Sequence, residues 1–187
     1  KTGKTWYGGS PSYTYASMQG DYAVRLTDTD QMAVNVLTLL QRPVRDGASD
    51  IRTLRLGLRY GHRFSGGGNL QASVSWSDTR SDTVNITSQG KTAALSYSFA
   101  RPIAGSEVSL TLGRQWNDYN RYRIGPFLVP GGRGDDTLFG SLNMVFTKVD
   151  YAGFVPSITI SAAKTDSNIS RFDTSRFGVQ FGIQSAF

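Results

Sequence analysis

The feature that most constrains this chain is an alternation of period two that separates apolar residues from small and polar ones. Near the C-terminus, Phe177, Val179, Phe181, Ile183 and Phe187 share one parity, broken only by Ser185, while Gly178, Gln180, Gly182, Gln184 and Ala186 fill the other. Successive residues of a strand point to opposite faces, so this segment has one apolar and one small or polar face. The pattern recurs in Leu70, Ala72, Val74 and Trp76 against Gln71, Ser73, Ser75 and Ser77, and in Ala93, Leu95, Tyr97 and Phe99 against Ala94, Ser96 and Ser98. Val108, Leu110 and Leu112 oppose Ser109, Thr111 and Gly113, and Leu54, Leu56, Leu58 and Tyr60 oppose Arg55, Gly57, Arg59 and Gly61. Weaker versions run through Leu138 to Phe146, Ile158 to Ile160 and Met32 to Val36. Two short stretches, from Tyr13 and from Tyr22, are read as separate strands joined tightly at Met18 to Asp21. The expectation is about ten strands of about ten residues.

Strands of that length, rising ~3.3 Å per residue and tilted ~40°, span the ~25 Å apolar band of an outer membrane, whereas soluble sandwich strands are usually nearer five or six residues. Composition points the same way: 39% hydrophobic residues with 18% charged is too apolar for disorder and sparsely charged for a soluble domain. A helical span needs ~18 to 20 unbroken apolar residues, and the best window, Met32 to Leu40, is interrupted by Asn35 and Thr38. The absence of cysteine excludes disulfides, thiolate metal sites and a cysteine nucleophile. The segments between apolar runs alternate in length. Long ones are Asp166 to Ser175, Asn117 to Asp135, Ser77 to Gly90 and Gln41 to Asp50; short ones are Val149 to Gly153, Arg101 to Gly105, Ser65 to Gly68 and Thr27 to Asp30. Outer-membrane barrels pair long extracellular loops with short periplasmic turns. The fold class expected for residues 1–187 is therefore all-β, a transmembrane antiparallel up-and-down β-barrel in the bacterial outer membrane, with its C-terminus at the periplasmic face. Lys1 to Lys4 show no signal peptide, so the chain reads as a mature or truncated form.

Interfacial aromatic belts are expected at Trp76, Trp116, Tyr119 and Tyr122 on the outer edge, and at Tyr60, Phe64, Tyr97, Phe99, Phe146, Tyr151 and Phe154 on the inner. Phe177, Val179, Phe181, Ile183 and Phe187 form a candidate assembly signal, since a terminal Phe after alternating apolar residues is what the barrel-insertion machinery recognises in this class. The expected partners are that machinery, outer-membrane lipid and lipopolysaccharide. The net charge of +6 is dispersed, with no Lys/Arg run longer than two, so nucleic acid is not expected.

Candidate chemistry is sparse. Arg55, Arg59 and Arg63 recur every four residues and so share one face; they are candidate pore-lining residues, against the alternative of structural pairing with acidic groups or water. Arg114 and Lys148 read as snorkelling interface residues. His62, the only histidine, and Ser65 have the composition of a hydrolase pair, but residues three apart on a strand face opposite ways, so no enzyme is expected. Arg133-Gly134-Asp135 is an integrin-type tripeptide among turn residues and carries little information. The acidic clusters Asp46 to Asp50, Asp78 to Asp82 and Asp166 to Asp173 lack calcium-loop spacing, so neither metal nor cofactor is expected.

From Arg121 onward the chain resembles the C-terminal barrel of the surface lipoprotein assembly modifier (Slam) family. The resemblance lies in Tyr122-Arg123-Ile124-Gly125-Pro126-Phe127, Arg133-Gly134-Asp135-Asp136 and Gly153-Phe154-Val155-Pro156-Ser157-Ile158-Thr159. It continues in Lys164-Thr165-Asp166-Ser167-Asn168-Ile169, in Phe172 and Asp173, and in Ser175-Arg176-Phe177-Gly178-Val179 with the terminal Phe187. It covers about a third of the chain clearly. It implies a periplasmic tetratricopeptide-repeat domain joined to a barrel usually described as fourteen-stranded, which delivers lipoprotein or secreted cargo to the cell surface. No 34-residue helical repeat is present and about four strands are lacking, so the chain reads either as a fragment of a longer protein with a larger barrel or as a small relative. The functional expectation is a translocation barrel; the alternative is a passive porin-like or structural barrel.

Overall fold

The computed structural model describes residues 1–7, 10–44, 49–83, 85–149 and 153–185, without the side chains of residues 7, 10 and 11. Extended segments with period-two alternation have nowhere to place their backbone N–H and C=O groups except on neighbouring strands. They form one antiparallel meander of ten strands: β1 (Thr2–Tyr7), β2 (Ser10–Arg25), β3 (Asp30–Pro43), β4 (Ile51–Arg63), β5 (Asn69–Ser81), β6 (Ser88–Ser98), β7 (Glu107–Tyr119), β10 (Arg133–Val145), β11 (Phe154–Ser167) and β12 (Thr174–Ser185). Between β7 and β10 a small separate hairpin pairs β8 (Arg123–Ile124) with β9 (Phe127–Leu128), and a 3-10 turn, Ser170–Phe172, precedes β12. No α-helix occurs among the described residues.

The sheet has ten strands, but not the ten expected. The stretches from Tyr13 and Tyr22 are one strand, because Gly20 pairs with Val36 and Asp21 with Asn35 without interruption. The place left by that merger is taken by β1, which the sequence reading passed over. The alternation in connection length also needs correcting. The β6–β7 and β10–β11 connections are no shorter than the β5–β6 and β11–β12 ones, because several strands run on into segments read as loops. The β2–β3, β4–β5, β6–β7 and β10–β11 connections lie at one end of the sheet, the turn end, and the others at the loop end.

Register fixes the two faces. Cross-strand partners share a face, so the ladder Val34–Leu58–Val74–Ala93 and the ladder Leu95–Leu112, Leu110–Leu142–Ile160–Val179 put the apolar parity of each strand on one side. That apolar face is the open one: Phe177, Phe181 and Ile183 are 74%, 75% and 76% exposed. The polar face is sheltered over β10 and β11, with Asp135, Thr137 and Thr165 at 7–8%, while its side chains on β4 and β12, such as Arg59 and Gln180, are exposed. Its side chains bond across strands, Ser96 to Thr111 and Thr137 to Thr165 at 2.8 Å and Asn143 Nδ2 to Thr159 at 2.8 Å. Small residues make room for large ones there. A Cβ on Gly113 would lie 2.3 Å from the Phe139 ring, which covers that glycine from the paired position on β10. Among the described residues the edges of the sheet are β1 and β12, which do not pair with each other.

Candidate functional site: the arginine face and the loop-end cluster

Arg55, Arg59 and Arg63 lie on the polar face, paired in register with Ser77, Ser73 and Asn69 of β5, and all three are exposed. Gly57 and Gly61 alternate with them, and Asn35 and Gln31 of β3 lie over those glycines. The polar face of β4 thus reads Arg, Gly, Arg, Gly, Arg. Four residues of strand set neighbouring arginines about 13 Å apart along the backbone, beyond the ~8 Å screening length at physiological salt, so their repulsion is weak while they stay wet. Structural pairing with acidic groups is not found: among the described residues none of the three has an ion pair. The polar faces of β3 to β6 carry no carboxylate at all, the nearest being Asp21 on β2 and Glu107 on β7. Arg25 pairs with Gln31 on the same face at the turn end, where it lines a small polar pocket with Arg63. Arg25 was legible from its parity with Gln19 and Asp21, had β2 been read as one strand.

The loop end holds the most organised polar cluster. Arg133 forks onto Asp135, with Nε 2.9 Å and Nη2 2.5 Å from the two carboxylate oxygens, and its guanidinium sits 3.5 Å from the Phe172 ring centre and 4.7 Å from that of Tyr119. Tyr122 is buried against Phe172, edge to face at 5.5 Å, and its hydroxyl accepts a hydrogen bond from Arg171 Nη2 at 3.1 Å. Asn168 ties two loops together: its Nδ2 donates to Gly132 O and its Oδ1 accepts from Gly134 N, both at 2.9 Å. Asn85 likewise brackets the backbone of Arg123 in the small hairpin. Three of the segments that carry the Slam resemblance, around Tyr122, Arg133 and Asn168 to Phe172, therefore meet in space, while Gly153 to Thr159 lies at the turn end. The integrin-type tripeptide is turned inward, its Arg and Asp side chains only 17% and 6% exposed and bonded to each other.

A scan against protein-family models, curated proteins and solved structures finds no match.

Tyr119 and Tyr122, expected in an outer aromatic belt, belong to this cluster instead. At the turn end His62, Phe64, Tyr97 and Phe99 do form a run of edge-to-face contacts with ring centres 4.7, 6.2 and 5.0 Å apart. Tyr151 and Phe187 lie outside the described residues. Arg114, read as a snorkelling cation, forms a bidentate pair with Asp136 on the apolar face and lies over Trp116 at 5.3 Å, while exposed Lys148 runs past Gly105.

His62 pairs with an acid the sequence reading did not single out. Its Nδ1 lies 2.8 Å from Asp30 Oδ1, and Tyr60 and the hydroxyls of Thr27 and Thr29 also donate to that carboxylate. Asp30 is the first residue of β3, and its carboxylate gathers hydrogen bonds from Thr27, Tyr60, His62 and Thr29 where the strand leaves the turn. Ser65 lies exposed in the next turn. Among the described residues no group of three His, Cys, Asp or Glu side chains could hold a metal ion.

Proposed function

We propose that the chain is wall of an outer-membrane translocation barrel that delivers lipoprotein or secreted cargo to the bacterial cell surface, and that it works without catalysis. The observation that carries the membrane part is the inverted sidedness of the sheet. Soluble monomers rarely expose apolar patches beyond a few hundred Å², yet here Leu54, Leu56, Leu58, Val74, Leu95, Leu112, Leu138, Phe177 and Phe181 all stand exposed on one face while Asp135, Thr137, Ser157 and Thr165 are sheltered on the other. Lipid is the solvent that favours that arrangement. In this reading the turn end faces the periplasm, β12 carries the assembly signal, and the polar face looks into a lumen. Cargo delivery rests on the resemblance to the Slam family. The test is surface protease sensitivity of candidate lipoproteins in a heterologous outer membrane with and without the chain. Cargo exposed only when the barrel is present supports translocation; cargo unchanged beside a correctly inserted barrel overturns it.

One observation favours the second reading, a passive pore: three wet arginines lie where the polar faces of β3 to β6 carry no carboxylate, which suits small anions. In planar bilayers an open pore should prefer chloride over potassium, and replacing Arg55, Arg59 and Arg63 together by Ser should abolish that preference while leaving conductance measurable. A chain that conducts without ion preference, or not at all, removes the arginines from that role.

A further inference from the structure

The apolar face is not uniform. Two hollows of about 580 and 460 Å³ share Leu58, Val74 and Ala93 and so form one furrow across β4 to β7, reaching β10 at Leu138. It exists because Ala72 and Ala93 are small where their neighbours are large: Leu58, Leu95 and Leu112 stand up as its walls. The furrow runs toward the loop end, where the register aligns Trp76, Lys91 and Trp116 side by side on the same face. Of the other cations on the apolar face of β4 to β11, Arg80 has Asp78, Arg114 has Asp136 and Lys164 has Asp166, while Arg52, which has no ion pair among the described residues, lies outside the furrow. Among the described residues Lys91 has none. An apolar trough thus ends at an uncommitted ammonium flanked by two indoles, and indoles favour the boundary between hydrocarbon and headgroups.

We infer that this furrow is a binding site for a phosphorylated, acylated lipid of the outer leaflet, its acyl chain lying over Ala72 and Ala93 and its phosphate on Lys91. The inference rests on the barrel reading above, since it needs the apolar face in lipid. The volume suits it, because ligand sites commonly fall between ~300 and ~1,000 Å³. So does the charge: a zwitterionic headgroup gains little from a lone cation, whereas each cation near an anionic surface is worth about fivefold in partition.

The test uses the full chain in phosphatidylcholine vesicles containing a small fraction of brominated-acyl lipid, either phosphatidylglycerol or phosphatidylcholine. Trp6 is replaced by Phe so that the emission comes from Trp76 and Trp116, the other two of the three tryptophans. Brominated phosphatidylglycerol should quench about fivefold more effectively per mole than brominated phosphatidylcholine. Lys91→Gln should remove that preference, and Ala93→Leu, which fills the trough, should lower quenching by both lipids. Equal quenching by the two lipids in the Trp6→Phe background, or a preference that survives Lys91→Gln, overturns the site and leaves the barrel standing. Absence of quenching by either lipid places the tryptophans outside the bilayer and overturns the barrel reading together with the site.

Discussion

Arg133 shows how one side chain can organise a region that sequence alone reads as a loop. Its guanidinium fork meets both oxygens of Asp135, itself sheltered, and its flat face is covered by Phe172 from a connection more than thirty residues away in the chain. Removing the arginine would leave a sheltered carboxylate unpaired, and breaking such a pair costs roughly 3 kcal/mol. Arg133→Ala should therefore loosen the cluster, read as faster tryptic cleavage between Asn120 and Gly132, and lower resistance to denaturant by that order. Arg133→Lys should restore only part, because an ammonium can neither fork nor stack in the same way. The arginines of β4 were legible because a four-residue spacing preserves parity. The partners of Arg133 were only partly legible: Asp135 shares its parity in β10, but Tyr119 is set opposite it by the β7–β10 register and Phe172 arrives from the β11–β12 connection, which has no period. Asp30 was missed for a similar reason: its partner His62 is set by the β3–β4 register and not by any local motif.

On the scale of elements, parity alone recovered most strands, and its failures are instructive. β2 was split at Gly20-Asp21 as though these were turn residues, yet Met18, Gly20, Tyr22 and Val24 keep one parity through them, while Gln19 and Asp21 share the polar face and bond to each other at 2.9 Å. A polar residue on the polar face interrupts nothing. β1 escaped notice because Thr2 to Thr5 hold no apolar residue to alternate, and the β8–β9 hairpin because two-residue strands are too short to show a period. The same face logic gives a prediction for β12. In water, Phe181→Arg at a 75% exposed position would be neutral to within ~0.5 kcal/mol or favourable. In lipid, a charge near the middle of the apolar band costs ~2–4 kcal/mol. We expect the loss, measured by reversible urea unfolding in vesicles, while Gln180→Arg on the polar face of the same strand should be tolerated. A neutral Phe181→Arg would remove the apolar face from lipid.

For the molecule as a whole, the decisive question is what covers the outer edges of β1 and β12. A strand edge presents a row of unpaired N–H and C=O groups, and in hydrocarbon each unsatisfied group costs several kcal/mol, so an open sheet cannot reside there. Within the sheet, β12 is bonded to β11 from Thr174 to Ser185, which satisfies alternate backbone groups of β12 and leaves the rest pointing away. If the barrel reading holds, those groups must find a strand when the protein enters a membrane, either β1 of the same sheet or a further strand that completes a larger ring. Amide hydrogen exchange of the vesicle-bound chain decides this residue by residue. Slow exchange at both sets of β12 amides is the expected result, since a paired edge in lipid is protected on both sides. Fast exchange confined to the set that points away from β11 would mean an open, wet edge, and with it the barrel wall, its lumen and the transport built on them would all fall, while the antiparallel meander itself would stand. If closure involves β1, a cysteine pair engineered across β1 and β12 should cross-link within one chain; protected amides without that cross-link would instead assign the closing strand to a larger ring.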